Sequence, residues 1–592
     1  MTFSWRPQQL EALTAIRQAI DRGIHNIILE APVGSGKSKI LQELATGLYH
    51  DRKWTSYYTT PQVLLVDQIR DDPLLQEHVA PLYGKSNYPC IMPEVPNVDV
   101  LSRAEGWCVT GLPCPTCAGS GHLIDTDGFG IPCKACKATG TKSKSKDKEH
   151  CPKLGECPYE VARARALRHN LPVMTFAYFS LATKSGGLGR FAPRDLLIID
   201  EAHSLAEAAV QGLGIDLRPK LVRGSEVYDK WWNDFALPLI QNKESTGCFE
   251  SYTNEHILPI LRSVSGAAAQ SYKEVSRLPL APDEDLGKRR RRLNRIKNLL
   301  SSIDESSLSM KNSSAEWVIQ HERDHRNVPH LKLSPVTATE HLRNTLWQIA
   351  PVRVLSSGTI LDFNHYLADL GLDPDDSKLI QQPSSFPPSR CPILFHPNSI
   401  SLAKETKEAN LPRALLCVEE ILRRYPDVRG IIHAHTYDNQ RYIQEHLSED
   451  LRPRLITHSP DDRDQVLERF LASSPPNAVL NSVAMDEGLD LKDDRARFQV
   501  VFKCPWPYLG DRRIRRRKQL PDGSTWYMLQ ALRSLLQASG RIMRSPTDWG
   551  DTWIIDSSAR DLLFGRWGML PIDTKARIRA GEPRTAIVGG AT

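Results

Sequence analysis

The stretch Ala31-Pro-Val-Gly34-Ser35-Gly36-Lys37-Ser38 follows directly on the apolar run 24–29, and its reading decides the fold. Glycine at 34 and 36 lets the backbone curl so that its N–H groups converge on phosphate oxygens. Lys37 adds a cation for the β- and γ-phosphates, and the Ser38 hydroxyl suits Mg²⁺. A helix expected at 39–49 turns the positive end of its dipole toward the same anions. The competing reading is a chance glycine turn, and the order strand, loop, helix disfavours it. The stretch therefore predicts nucleotide binding through Gly34, Ser35, Gly36, Lys37 and Ser38, in an α/β domain.

Working outward, the chain has 592 residues, enough for several domains. No apolar stretch is long enough to cross a bilayer, and the polar first ten residues do not read as a signal peptide. The expectation is an intracellular protein of the cytoplasm or nucleoid (host cytoplasm if the chain is viral) with no membrane partner. A formal charge of +6 argues weakly for a polyanionic partner. The basic clusters at 289–292 and 512–518 are more informative, although a charge run is ordinarily a solvated helix face. Of twelve cysteines, eight lie between Cys90 and Cys157, which in an intracellular chain reads as metal binding rather than disulfides. Cys248, Cys391, Cys417 and Cys504 stand alone and read as small buried hydrophobes.

Strands are expected at 56–60, 173–176, 196–199 and 352–355, alternating with helices at 10–20, 63–69 and 160–169. Such alternation predicts a parallel sheet covered on both faces. Residues 210–330 are charged, contain tryptophan and have a helical pattern, as at 293–303, with no convincing strand run. They read as a helical insertion. A second alternating region begins at Phe363, with strands at 430–433, 478–481, 499–502 and 553–555. The expected division is a first motor domain of residues 1–89, 158–209 and 331–362, a cysteine-rich domain at 90–157, the insertion at 210–330, and a second motor domain at 363–592. The tract 141–148 reads as a flexible linker.

The strand 196–199 delivers Asp200-Glu201-Ala-His203 to the carboxyl edge of the first sheet, where ligands bind in open α/β folds. Asp200 is placed to hold Mg²⁺ with Ser38, and Glu201 to orient or deprotonate the attacking water. A pair of helix-capping carboxylates is the plainer alternative. Farther on, Gln537-Ala-Ser-Gly-Arg541-Ile-Met-Arg544 follows a helix expected at 526–536. Arg541 and Arg544, three apart on one helical face, could reach a γ-phosphate as arginine fingers.

This ordered set resembles the XPD/DinG-like iron–sulfur group of superfamily 2 helicases, including its DEAH box. Arg6-Pro-Gln-Gln9 resembles the group's adenine-recognition segment, with Gln9 as the glutamine. Thr59, Thr60 and Gln68 resemble its motif Ia, Ser357-Gly-Thr359 its motif III, Glu487-Gly488-Leu-Asp490 its motif V, and the Gln537 to Arg544 segment its motif VI. Asp548 and Gly550 fit the family's ending. The likeness covers most of residues 1–205 and 330–592. It implies two RecA-like domains with nucleotide between them, and an Arch-like insertion at 210–330.

Cys114-x-x-Cys117 and Cys133-x-x-Cys136 are near-repeats, each followed by glycines, and similar to the zinc repeats of DnaJ-type chaperones. Two such turns joined by a short hairpin, at 109–140, predict a Cys₄ Zn²⁺ site. The resemblance then implies a [4Fe–4S] cluster on Cys90, Cys108, Cys151 and Cys157. A rival grouping takes Cys114 and Cys117 as the middle cluster ligands, and zinc sites without iron remain an alternative.

The resemblance implies an ATP-dependent DNA helicase that moves 5′→3′ on single-stranded DNA and unwinds forked duplexes, in DNA repair or replication. Trp506, Tyr508 and the 512–518 run suit base stacking and phosphate contact. A protein partner could dock on the zinc hairpin or the helical insertion, and a monomer is expected. The alternative is a nucleic-acid-stimulated ATPase that remodels protein–DNA complexes without separating strands.

Overall fold

Four consecutive aliphatic side chains, Leu196–Ile199, are fully buried and form one of the inner strands of the first sheet. Burying each is worth roughly 2 kcal/mol, and an unbroken apolar run favours a strand hidden on both faces. The computed structural model describes residues 5–32, 34–91, 122–124, 130–132, 134–136, 153–184, 191–219, 226–238, 254–277, 286–311, 315–323, 327–384, 386–460, 462–473, 475–483, 493–540, 542 and 548–579. The first sheet has seven parallel strands in the order Ser377–Gln381, Asn26–Glu30, Val352–Ser357, Leu196–Ile199, Ser56–Thr60, Pro172–Thr175 and Ala80–Pro81. Two apolar clusters cover its two faces.

The first sheet extends beyond residue 362, where the sequence placed the boundary between the motor domains. Ser377–Gln381 is its edge strand, paired in parallel with Asn26–Glu30. The helix Phe363–Leu370 sinks Tyr366, Leu367 and Leu370 into the same core. The edge strand reads Ser-Lys-Leu-Ile-Gln and is only partly buried, so it lacks the apolar run that marks its inner neighbours.

The insertion is not purely helical, which corrects the second expectation. Its helices Glu226–Trp231, Asn254–Arg277 and Leu286–Lys311 accompany a three-stranded antiparallel sheet. The central strand Pro329–Pro335 pairs with Ile215–Leu217 and Trp317–Arg323. Charged residues and two prolines in these strands dilute the period-two pattern, which hid them in the sequence.

The second sheet is also parallel throughout, in the order Ile393–Ile400, Asp551–Asp556, Phe498–Val501, Gly430–His433, Val479–Ser482 and Leu455–Thr457. A Cβ on Gly430 would lie 2.2 Å from the Phe498 ring, so glycine is what lets these neighbouring strands close. In the cysteine-rich segment, His122–Ile124 and Gly130–Pro132 pair antiparallel as a small hairpin. No helix among the described residues is long and apolar enough to cross a membrane.

Candidate nucleotide site between the two sheets

The phosphate loop leaves Asn26–Glu30 at its carboxyl end, and the helix Lys37–Arg52 begins at once behind it. Gly34 and Gly36 adopt φ of 76° and 86°, a backbone region that L side chains disfavour. The helix Pro7–Asp21 closes over the loop. Gln9 is buried there: its Oε1 accepts from the Arg6 N–H at 3.1 Å and its Nε2 donates to the Ser35 carbonyl at 2.9 Å. Arg6 donates to the Gly34 carbonyl at 3.2 Å. A Cβ on Gly36 would come within 2.2 Å of the Gln9 amide nitrogen, so the glycine also makes room for the clamp.

Three elements of the first sheet meet at Asp200. Its Oδ2 accepts from the Ser38 hydroxyl at 3.2 Å and the Tyr58 hydroxyl at 2.9 Å. Its Oδ1 accepts from Ser356 at 2.9 Å and from the Glu201 N–H at 3.0 Å. Burial, and then the charge of Glu201, push the Asp200 carboxyl above its ordinary range against the pull of Lys37. Burial and Asp200 likewise hold the Tyr58 phenol well above its usual value, so it remains an O–H donor.

Lys37 Nζ donates to the Ala31 carbonyl at 3.2 Å and lies 3.4 Å from Glu201 Oε1. Burial works to raise the Glu201 carboxyl, but Lys37 and His203 outweigh it and hold that carboxyl below the usual range. Glu201 sits at φ 50°, a left-handed backbone for a non-glycine residue. His203 Nδ1 is 3.4 Å from Glu201 Oε2 and 3.0 Å from the Ser357 hydroxyl.

Gln537 reaches this cluster from the helix Gly523–Ser539 of the second domain. Its Nε2 donates to His203 Nε2 at 2.7 Å, which leaves the His203 proton on Nδ1, facing Ser357 and Glu201. Arg541, Arg544, Glu487, Gly488 and Asp490 lie outside the described residues. Within the loop, the buried Ser35 hydroxyl meets no hydrogen-bond partner. An orphaned donor in a cradle of N–H groups fits a phosphate oxygen, and the Ser38–Asp200 oxygen pair fits a hard divalent cation.

Two solved structures share this arrangement of domains. One is an Xpd4 structure from S. tokodaii, at TM-score 0.56 and 16% identity, covering 96% of this chain and 99% of that one. The other, described as an XPD helicase, gives TM-score 0.58 and 14% identity, covering 96% and 98%. Residues 421–565 match the family described as helicase C-terminal domain. The fold is XPD-like. The XPD-like chain is 33% identical over 87 residues to a Fanconi anemia group J protein homolog of Gallus gallus, a stretch covering 13% of this chain and 7% of that protein. It is also 33% identical over 127 residues to a regulator of telomere elongation helicase 1 homolog of Drosophila sechellia, covering 19% and 13%. The chain thus matches a small part of the length of these curated relatives.

Sequence reasoning overlooked Tyr58 and Ser356, because single hydroxyls carry no motif spacing. Tyr58 adjoins the singled-out Thr59 and Thr60, and Ser356 adjoins Ser357. Thr59 and Thr60 are themselves buried, with hydroxyls on the carbonyls of Ile198 and Gln62, whereas Gln68 is exposed.

The 512–518 run of the XPD-like chain is a helix, Arg512–Gln519, capped by Asp511, and it is not a free phosphate comb. Arg513 grips Glu207 at 2.7 Å, Arg516 grips Glu316 at 2.6 Å, and Arg517 holds Asp522 at 2.7 Å and Asp369 at 3.3 Å. Glu207, Glu316 and Asp369 lie on elements remote in sequence, so the run alone could not reveal them, whereas Asp522 is five residues from Arg517. Trp506 stacks on Tyr527 with ring centroids 5.2 Å apart. Tyr508 is 79% exposed.

Of the cysteines, Cys157 is buried and Cys90 half-buried. Their flanks meet: Tyr88 and Tyr159 pack edge to face with centroids 5.6 Å apart. Cys108, Cys114, Cys117, Cys133 and Cys151 lie outside the described residues, as does the side chain of Cys136. Among the described residues, no group of three or more His, Cys, Asp or Glu could hold a metal ion. The isolated Cys391, Cys417 and Cys504 are buried, as small hydrophobes should be.

Proposed function

We propose that the chain is an ATP-dependent DNA helicase that moves 5′→3′ on single-stranded DNA and unwinds duplexes. The observation that carries this reading is the Gln537–His203 bond, which joins the second sheet to the phosphate-loop and Asp200–Glu201 cluster of the first. Lys37 neutralises the β- and γ-phosphates, and the loop N–H groups with the Ser35 hydroxyl receive their oxygens. Ser38 and Asp200 hold Mg²⁺, which when bound draws charge from the phosphate oxygens. Glu201 orients or deprotonates the attacking water, and Gln9 registers the adenine side through its clamp on the loop.

Arg541 and Arg544 reach the γ-phosphate from the second domain. Hydrolysis then removes the bridge that draws the domains together. Glu487, Gly488 and Asp490 relate nucleotide state to a strand lying across both domains, and Tyr508 offers a ring for stacking.

Cys90, Cys108, Cys151 and Cys157 hold an iron–sulfur cluster in this reading, and Cys114, Cys117, Cys133 and Cys136 a structural Zn²⁺ in the hairpin. The meeting of Tyr88 with Tyr159 supports the first and last cluster ligands, and thiolate donors suit either metal. The cysteine-rich segment and the insertion form the wedge that parts the strands of forked DNA. The chain acts as an intracellular monomer, and its zinc hairpin or insertion offers a protein docking surface.

Strand displacement on 5′-tailed and 3′-tailed duplexes, run beside an ATPase assay, tests the proposal. The expected result is displacement from the 5′ tail alone. Stimulated hydrolysis without displacement would replace it with the remodelling ATPase. Cys157→Ser should lose iron and keep zinc, and Cys133→Ser the reverse; iron lost from Cys133→Ser would overturn the grouping.

A further inference from the structure

Glu30, the residue just ahead of the phosphate loop, is 8% exposed, and its carboxylate accepts from backbone and amide N–H groups. Its Oε1 accepts from the N–H of Ile360 at 2.7 Å and of Leu361 at 3.4 Å. Its Oε2 accepts from the Gln381 amide at 2.8 Å. The main chain reinforces both ties: the Ala31 N–H donates to the Ser357 carbonyl at 2.9 Å, and the Gln382 N–H donates to the Glu30 carbonyl at 2.8 Å. One buried carboxylate therefore connects the root of the phosphate loop, the segment after Ser357-Gly-Thr359, and the last strand of the first domain.

Ile360 and Leu361 turn opposite ways. Ile360 is buried in the core of the first domain. Leu361 packs against the cluster of the second domain that contains Ile393, Val501, Leu529 and Leu532. The reversal forces Leu361 to φ 68°, a left-handed backbone that costs an L residue about 1–2 kcal/mol. Such a conformation persists where its surroundings over-determine it, and Glu30 supplies the acceptor that fixes it.

We propose that Glu30 is a positioning residue that couples the phosphate loop to the second motor domain through the left-handed Leu361. A shift of the loop carries Glu30 with it, and Leu361 passes that shift to the apolar cluster in which it is seated. The inference rests on the motor reading above and adds the path by which nucleotide state reaches the second sheet.

The test measures ATP hydrolysis with and without single-stranded DNA for wild type, Leu361→Ala, Glu30→Gln and Glu30→Ala. Leu361→Ala should keep its KM for ATP and its unstimulated turnover, and lose strand stimulation by about fivefold or more, the lower end of coupling between distinct sites. Glu30→Gln keeps one acceptor oxygen for the two N–H groups but loses the charge that strengthens those bonds, so it should fall between Glu30→Ala and wild type. A fold defect in Glu30→Ala leaves the other two variants to decide, with thermal unfolding to confirm their integrity. Full stimulation in Leu361→Ala and Glu30→Gln, with wild type active, overturns this inference alone. A wild type that does not hydrolyse ATP overturns it together with the motor reading.

Discussion

The two motor sheets share parallel order and differ where their strands end. At the first edge, Asp200 receives the hydroxyls of Ser38, Tyr58 and Ser356, and Glu201 faces Lys37. At the second edge, Asp556 is spent on the chain itself: it accepts from the N–H groups of Cys504 at 2.9 Å, Ser558 at 3.0 Å and Leu402 at 3.3 Å. At the opposite, amino end of the same strand, Asp551 accepts from the buried Tyr425 hydroxyl. Among the described residues, the same architecture thus carries a cluster of polar side chains at a candidate ligand site on one sheet and structural caps on the other. Topology marks where a site can lie, and side-chain chemistry decides whether one is there.

The largest expected effect breaks the first edge. Lys37→Ala deletes the cation of the loop, so ATP hydrolysis should fall to background while binding of single strands without nucleotide survives. Next, Glu201→Gln keeps size and hydrogen bonding but removes the base, and turnover in a stopped-flow assay should drop by roughly 10²-fold or more with ATP still bound.

A matched pair of aspartate variants sharpens the contrast between the sheets. Asp200→Asn should abolish hydrolysis with little loss of thermal stability, since it removes a buried charge that burial already disfavours. Asp556→Ala leaves three backbone N–H groups without their acceptor and should lower unfolding stability by about 2–4 kcal/mol. Similar stability losses in both variants would erase the distinction.

Gln537→Ala removes the neutral bond between the sheets, and turnover should fall about tenfold, the equivalent of one hydrogen bond. Arg516→Ala should have the smallest effect, below about 1 kcal/mol in unfolding, because its pair with Glu316 is partly exposed.

Inner strands of the two sheets were legible from apolar runs such as Leu196–Ile199, or from β-branched and aromatic residues, as in the Ser-Tyr-Tyr-Thr-Thr of Ser56–Thr60. Ser56–Thr60, Leu196–Ile199 and Gly430–His433 fall where the sequence put them. Ser377–Gln381 and the strands of the insertion were not, since edge and antiparallel strands with charged faces carry a weaker period. At the site, the loop and Asp200–Glu201 announce themselves by spacing. Tyr58, Ser356 and Glu30 do not, because each acts through a neighbour distant in sequence. The arginines at 513 and 516 illustrate the converse: members of a conspicuous run whose carboxylate partners, Glu207 and Glu316, appear only in three dimensions.

The central claim is that nucleotide held at the first edge governs the approach of the second sheet. Energy transfer between dyes on the two motor domains, titrated with a non-hydrolysable ATP analogue and Mg²⁺, tests it most directly. The account predicts a saturable rise in transfer for wild type that Lys37→Ala abolishes. Tight binding of the analogue by wild type with no change in transfer would contradict it.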